Sequence, residues 1–491
     1  MLLVAMLMVA GGACSSTNPP ATDAGGPPAT RGGDGLGPTT VAADADAVPA
    51  TTSTTAAPVA PAATGLLTFR GNESRTSYGT GPLSARPEVL WQYPDQQKMC
   101  SDSTVGSETF EWCGTGWTGQ PAVVERDGRT WVIFGAYDGA IHFLDGDTGR
   151  RLLPDFKTGD LVKGSVTVDP DGYPLVYIGS RDNAFRVIAI DRVVPTELWR
   201  LDAEDVSPTL WNDDWDGSGL VSGGYLFEGG ENSQFHAVQL NRSYGDDGLV
   251  AVDPTLAFHA PGWDDELLAG LDDYDVSIES SVALVGGVAW FANSGGLVQG
   301  WDVSGLADGT SPERVFRFWM GDDVDATVVV DDQGMLYVGA EWERHTARAR
   351  LVGQIVKLDP GRADPVVWSV SDQVVDQNGV AGVWATPALW KDVVIVATNG
   401  GRVMGIDRAN GRIRWTKNLP GPVWQSPVVV DGVLLQGDCH GFLHAYDLAD
   451  TAVDPPELWT VRLPGCIEST PAVWGGRIYV GTREGHFHAI G

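Results

Sequence analysis

A chain of 491 residues with 43% hydrophobic content can bury a sizeable core, which excludes global disorder. Its 64 acidic and 32 basic side chains give a formal net charge of −32, so a nucleic-acid backbone or an anionic bilayer is excluded as the main partner, because both repel an acidic surface. With Gly 63 and Trp 19 the composition points to a turn-rich all-β protein and names no reaction.

Leu2 to Ala10 form an apolar run, too short to span a bilayer, that ends in Gly11-Gly12-Ala13-Cys14. Residues 1–13 therefore read as an export signal peptide. Small residues before a cysteine resemble the lipobox of bacterial lipoproteins, and the resemblance implies that Cys14 is lipidated and becomes the mature N-terminus. Ordinary secretion is the alternative. Residues 14–64 are rich in Ala, Thr, Pro and Gly, with almost no large apolar side chain, and read as a disordered tether.

From residue 65 to residue 491 one pattern recurs. A short strand beginning in Ser/Thr-Pro or Ser/Thr-Val is followed by an aliphatic strand ending in Gly. A third strand ends in Asp, and a fourth often carries Trp. Copies align at Pro121, Val166, Leu220, Val282, Val328, Pro387, Pro427 and Pro471, at spacings of roughly 40 to 62 residues, which is the range of propeller blades. Each copy is a four-stranded antiparallel sheet that buries its faces only against neighbouring copies. The eighth copy stops after its third strand, at Phe487 to Gly491, and Val89-Leu90-Trp91-Gln92-Tyr93 matches the missing fourth strand. The expected fold is all-β: an eight-bladed β-propeller whose last blade is closed by an N-terminal strand, which leaves no open edge.

The phrase Ile406-Asp407-Arg408-Ala409-Asn410-Gly411-Arg412-Ile413-Arg414-Trp415 resembles the tryptophan-docking repeat of PQQ-repeat (quinoprotein-like, BamB-like) propellers, and Phe69-Arg70-Gly71-Asn72 resembles the opening of their secreted members. The resemblance implies a propeller over residues 65–491, with tryptophans wedged between blades. Family functions range from quinone-dependent dehydrogenases to the BamB-type lipoprotein of outer-membrane assembly. Dehydrogenases of the family carry a vicinal Cys-Cys disulfide and a calcium set of Glu and Asn. This chain has no Cys-Cys pair, and Glu279 and Asn293 lack a partner base by motif, so no cofactor is expected and PQQ with calcium is disfavoured.

Four cysteines remain beyond Cys14, an even number suited to an oxidising compartment. Cys439 falls in the second-to-third-strand turn of the seventh repeat, and Cys466 just before the eighth. Cys100 and Cys113 bracket one loop. The expected disulfides are Cys439–Cys466 and Cys100–Cys113.

The position two before the Ser/Thr of each first strand faces the central opening. It holds Thr118, Lys163, Gly217, Glu279, Asp325, Trp384, Trp424 and Glu468. Trp117 and the loop carrying Trp215 and Asp216 adjoin it. Carboxylates and indoles sharing one opening, with Lys163 as its cation, make a candidate ligand site for hydroxyls, amines or sugar rings. Blade packing is the competing reading of the indoles. His142, His236, His444 and His488 repeat at one third-strand position in separate blades and cannot share a metal. No catalytic residue, metal set, P-loop, nucleophile elbow or dinucleotide fingerprint is found. The expected protein is exported, lipid-anchored, monomeric and non-catalytic, touching a membrane only through its anchor. It binds a protein at the mouth, or alternatively a carbohydrate or small molecule. Quinone-dependent oxidoreduction is the third reading.

Overall fold

Runs of β-branched and aliphatic residues between glycine-bearing turns become strands. In the computed structural model these are described for residues 61–105, 107–116, 119–271, 273–375 and 381–491. The export signal, Cys14, nearly all of the tether assigned to residues 14–64, and Trp117 and Thr118 lie outside the described residues. The chain divides into two compact units. The first, Met1–Val59 with Thr104–Glu108, has among its described residues only the tip of the hairpin Cys100–Val105 and Glu108–Cys113. The second, Ala60–Ser103 and Thr109–Gly491, is the propeller.

Eight antiparallel sheets form the blades, in chain order, with inner strands at Ala122–Arg126, Thr167–Val168, Leu220–Ser222, Ala283–Val285, Val329–Val330, Ala388–Trp390, Val428–Val430 and Ala472–Trp474. These coincide with the eight repeat copies. Val89–Tyr93 is the fourth strand of blade 8 and pairs with Phe487–Ile490. The ring thus closes through a strand from the other end of the chain, as the repeat pattern predicts.

The outer strands explain the repeated tryptophan. In blades 2, 5, 6, 7 and 8 a β-bulge follows the pair made by Trp199, Trp368, Trp415, Trp459 and Trp91 with the third strand. A bulge bends the strand and re-aims that side chain. Trp368 Nε1 donates to Arg408 O at 3.0 Å in the next blade, and Trp91 Nε1 donates to Gly146 O at 3.0 Å in blade 1. The receiving turns end at Gly411 and Gly149, whose φ of 74° and 68° favours glycine, and a Cβ there would meet the docked ring at 2.9 and 2.7 Å.

One element escapes the repeat. Residues 64–80 run across the inner strands and touch every blade. Thr64–Leu66 pairs with Ala122–Arg126 as a fifth strand of blade 1, so Thr64, assigned to the tether, is a strand residue. Val168 N–H then donates to Leu67 O, Leu284 N–H to Glu73 O, Val330 N–H to Ser74 O and Leu389 N–H to Tyr78 Oη. Thr80 N–H donates to Val473 O in blade 8.

Two fully buried arginines of this segment fill the channel. Arg70 donates to the carbonyls of Thr386, Pro387 and Pro427 in blades 6 and 7. Arg75 donates to the carbonyls of Val282 and Ser218 in blades 4 and 3. Burial pulls both guanidiniums down to about 10, still far above neutrality, so both remain charged. Both sit at positive φ, 57° and 63°, a conformation costly for a side chain with a Cβ and here offset by the carbonyl bonds. One end of the channel is therefore plugged by the protein itself.

Candidate functional site

At the other end, the loops before the inner strands and the turns between second and third strands meet. Lys163 of blade 2 stands among the acids. Its Nζ lies 2.5 Å from Asp216 Oδ2 and 3.4 Å from Glu231 Oε1. Glu279 completes that trio, with one oxygen of each carboxylate within 4.8 Å of the others. Burial raises Asp216 most, Lys163 pulls it back, and the balance leaves it at about 7. Burial disfavours the Lys163 ammonium, but the surrounding carboxylates outweigh it and hold its pKa well up. Lys163 is also not the sole cation of the mouth. Arg181 pairs with Asp214 at 2.9 Å, Arg344 with Asp323 at 3.3 Å and Arg483 with Glu468 at 2.8 Å.

Ser294 Oγ bridges from Glu279 (3.4 Å) to Asp325 (3.5 Å), which links blades 4 and 5. Asp325 accepts a short hydrogen bond from Trp384 Nε1. The Trp384 ring meets Trp424 of blade 7 edge-on, with centroids 5.6 Å apart and planes at 86°. Both indoles are half-buried. Asp325 forms a second trio with Asp323 and Glu341, again within 4.8 Å. Burial, then mutual repulsion, raises all three well above the usual carboxylate range.

The structure thus brings Lys163, Asp216 and Glu279 together, and Asp325, Trp384 and Trp424 together. Glu468 is engaged with Arg483 instead, beside the Tyr137 hydroxyl. Trp215 is a correction: it is fully buried, packed against Phe185 and His236 at centroid distances of 5.7 and 5.1 Å, and its ring is not on the mouth. It wedges between blades 2 and 3, where Gly179 leaves it room.

Sequence reasoning missed Glu231 and Glu341, which sit between second and third strands, and Asp323, which precedes the inner strand of blade 5 two residues before Asp325. It also missed Glu228, whose two oxygens are buried without a hydrogen-bond partner and whose carboxyl is pushed well up by burial while the Arg75 charge pulls it back. An acid inside the apolar strand Tyr225–Gly229 was the available signal. The four repeated histidines occupy third strands of blades 1, 3, 7 and 8. His142 is held between Asp138 and Asp155 at 3.1 Å each, while His236 and His488 are buried with no hydrogen-bond partner.

The disulfides Cys100–Cys113 and Cys439–Cys466 are both present. The residues do not fit a quinone with its calcium. The cysteines of the propeller are spent in these two non-vicinal bridges, and Asn293 uses its amide on Gly262 O and Leu297 N–H. Among the described residues no helix is long and apolar enough to cross a membrane.

Residues 352–455, from blade 5 to blade 7, match the sequence profile of a family described as outer membrane protein assembly factor BamB. No curated protein matches the chain. Among solved structures it resembles the quinohemoprotein alcohol dehydrogenase of Comamonas testosteroni, at 14% identity and a TM-score of 0.53 over 87% of this chain and 80% of that one. It also resembles the computationally designed Ika8 protein, at 12% identity and a TM-score of 0.51 over 76% and 96%. BamB from Moraxella catarrhalis aligns at 10% identity over 82% and 97%, with a TM-score of 0.38 that carries no argument. At these identities the solved structures speak for the fold alone.

Proposed function

For a chain that belongs to the PQQ-repeat β-propeller family, we propose an extracytoplasmic, non-catalytic binding protein whose mouth receives a cationic group of a partner protein. The observation that carries this reading is an arc of carboxylates, Asp216, Glu231, Glu279, Asp325 and Glu341, that ends on the edge-on pair Trp384 and Trp424. Carboxylates attract an ammonium or guanidinium, and an indole face adds roughly 0.5–2 kcal/mol of cation–π attraction. The arginine plug at the other end leaves this face to the partner. The matched profile is described as an assembly factor, a role exercised by binding. Two disulfides agree with an oxidising compartment, and the leader ending at Cys14 supplies export and a lipid anchor in this reading.

Calorimetry on the full chain tests the proposal with a lysine-rich peptide, an acidic peptide of equal length and a panel of neutral oligosaccharides. Binding of the basic peptide alone, weakened by salt and by joint Trp384→Ala and Trp424→Ala substitution, is the expected result. Binding of an oligosaccharide alone would replace this reading with a carbohydrate receptor. Binding of neither would move the partner away from the mouth.

A further inference from the structure

The two carboxylate trios of the mouth differ in one respect. In the first, Lys163 supplies an ammonium 2.5 Å from Asp216 and 3.4 Å from Glu231, so the cation is part of the chain. In the second, the cation nearest the centre is Arg344. It reaches only Asp323, at 3.3 Å, and is shared with Asp273 at 3.3 Å and Asp275 at 3.5 Å. Asp323, Asp325 and Glu341 are 6, 6 and 7% exposed, so water does little to screen them from one another. Three buried like charges at this separation do not ionise together without a counter-ion.

A separate observation points to the same centre. Asn399, on blade 6 and fully buried, directs Nδ2 at Glu341 Oε2 (3.2 Å) and at Ala381 O (3.3 Å), while its Oδ1 has no hydrogen-bond partner. A 180° turn of that amide, indistinguishable by shape, presents the oxygen to Glu341 and to the Ala381 carbonyl instead, which is favourable only with a cation among these oxygens. Asp323 Oδ1 is likewise buried and unpartnered. The frame is held rigidly. Asp322 accepts from the N–H groups of Glu343, Arg344 and His345, and Glu341–Trp342 pairs with Ala381–Gly382.

We propose that Asp323, Asp325 and Glu341, with the amide of Asn399, form a calcium-class divalent cation site on the blade 5–blade 6 side of the mouth. Oxygens within 4.8 Å of one another can surround a central ion bound at about 2.3–2.6 Å, as Ca²⁺ is, and an irregular set of carboxylates and one amide suits the flexible coordination of Ca²⁺ better than the near-ideal octahedron Mg²⁺ demands. None of these ligands is Glu279 or Asn293, and the site stands whether or not the mouth takes a cationic partner.

Trp384 donates to Asp325 and so stands as a built-in antenna for Tb³⁺, which replaces Ca²⁺ at oxygen sites. The full chain, stripped with EDTA, is titrated with Tb³⁺ under indole excitation and then with Ca²⁺ and Mg²⁺ alone by calorimetry. The expected result is one ion per chain, Ca²⁺ bound at least tenfold more tightly than Mg²⁺, and a melting temperature raised by Ca²⁺. Glu341→Gln and, independently, Asp323→Asn should each weaken Ca²⁺ at least tenfold. Asp454→Asn, an exposed carboxylate of blade 7, should leave it unchanged. Trp384→Phe should remove the emission but keep the calorimetric binding. No uptake by the folded wild type at millimolar Ca²⁺, or uptake unaltered in both folded ligand variants, overturns the site.

Discussion

Arg70 Nη1 donates to the carbonyl of Pro427 at 2.6 Å, joining residues 357 positions apart across the centre of the ring. Its Nη2 reaches the carbonyls of Thr386 and Pro387, and among the described residues no carboxylate forms an ion pair with it. The guanidinium fork is thus matched to carbonyl oxygens that only a closed ring brings together. Arg70→Met leaves three buried carbonyls without a donor. It should cost on the order of 3–5 kcal/mol in urea unfolding, and Arg70→Lys, which keeps the charge but loses the fork, should recover only part of that.

Two truncations separate the plug from the closing strand. A chain starting at residue 62 should melt with the full-length protein. A chain starting at Pro87 keeps Val89–Tyr93 in blade 8 but loses residues 64–80, and should melt at least several degrees lower because the inner strands lose their central contacts. Equal melting of all three would show that the plug stabilises nothing.

Gly411 combines a φ of 74° with a Trp368 ring 2.9 Å from where a Cβ would stand. Gly411→Ala therefore meets both a backbone and a packing penalty, about 1–3 kcal/mol together. Replacing the exposed Arg412 beside it with Ala should change stability by under about 0.5 kcal/mol.

His236 is buried without a hydrogen-bond partner, and burial lowers its pKa to about 3. The unfolded chain takes up a proton below about 6.5, while the folded one does not until far lower. Stability from this group is therefore complete above about 6.5 and is lost as pH falls toward 3. Between pH 7.5 and 4.5 the wild type should lose about 2–3 kcal/mol more than His236→Phe, measured by denaturant unfolding at both pH values. An equal loss in both proteins would place the acid sensitivity elsewhere.

Trp384 and Trp424 are half-buried at the mouth, whereas Trp415 is 4% exposed in the packing of blades 6 and 7. Trp415→Ala should cost about 3–5 kcal/mol, and the paired Trp384→Ala and Trp424→Ala change less than that. If the mouth pair cost more, these indoles would be structural and the ligand site would lose its aromatic wall.

The sequence by itself determined the blades. Inner strands, the Trp-bearing outer strands, closure by Val89–Tyr93 and both disulfides follow from a pattern repeated eight times, because alternation, turn glycines and docking tryptophans act locally or between adjacent repeats. It also located Lys163, Asp216, Glu279, Asp325, Trp384 and Trp424 near one opening. Only the tertiary structure decided which of them meet. Lys163 sits among acids of other blades, Glu341 joins Asp325 from between second and third strands and Asp323 from two residues earlier in the same loop, and Trp215 turns inward against Phe185. The plug was equally hidden. Arg70 and Arg75 belong to no repeat, and the carbonyls that hold them come from blades far apart in the chain. A repeat carries the geometry between neighbours. The distances across a ring depend on closing all eight blades, and no local period encodes them.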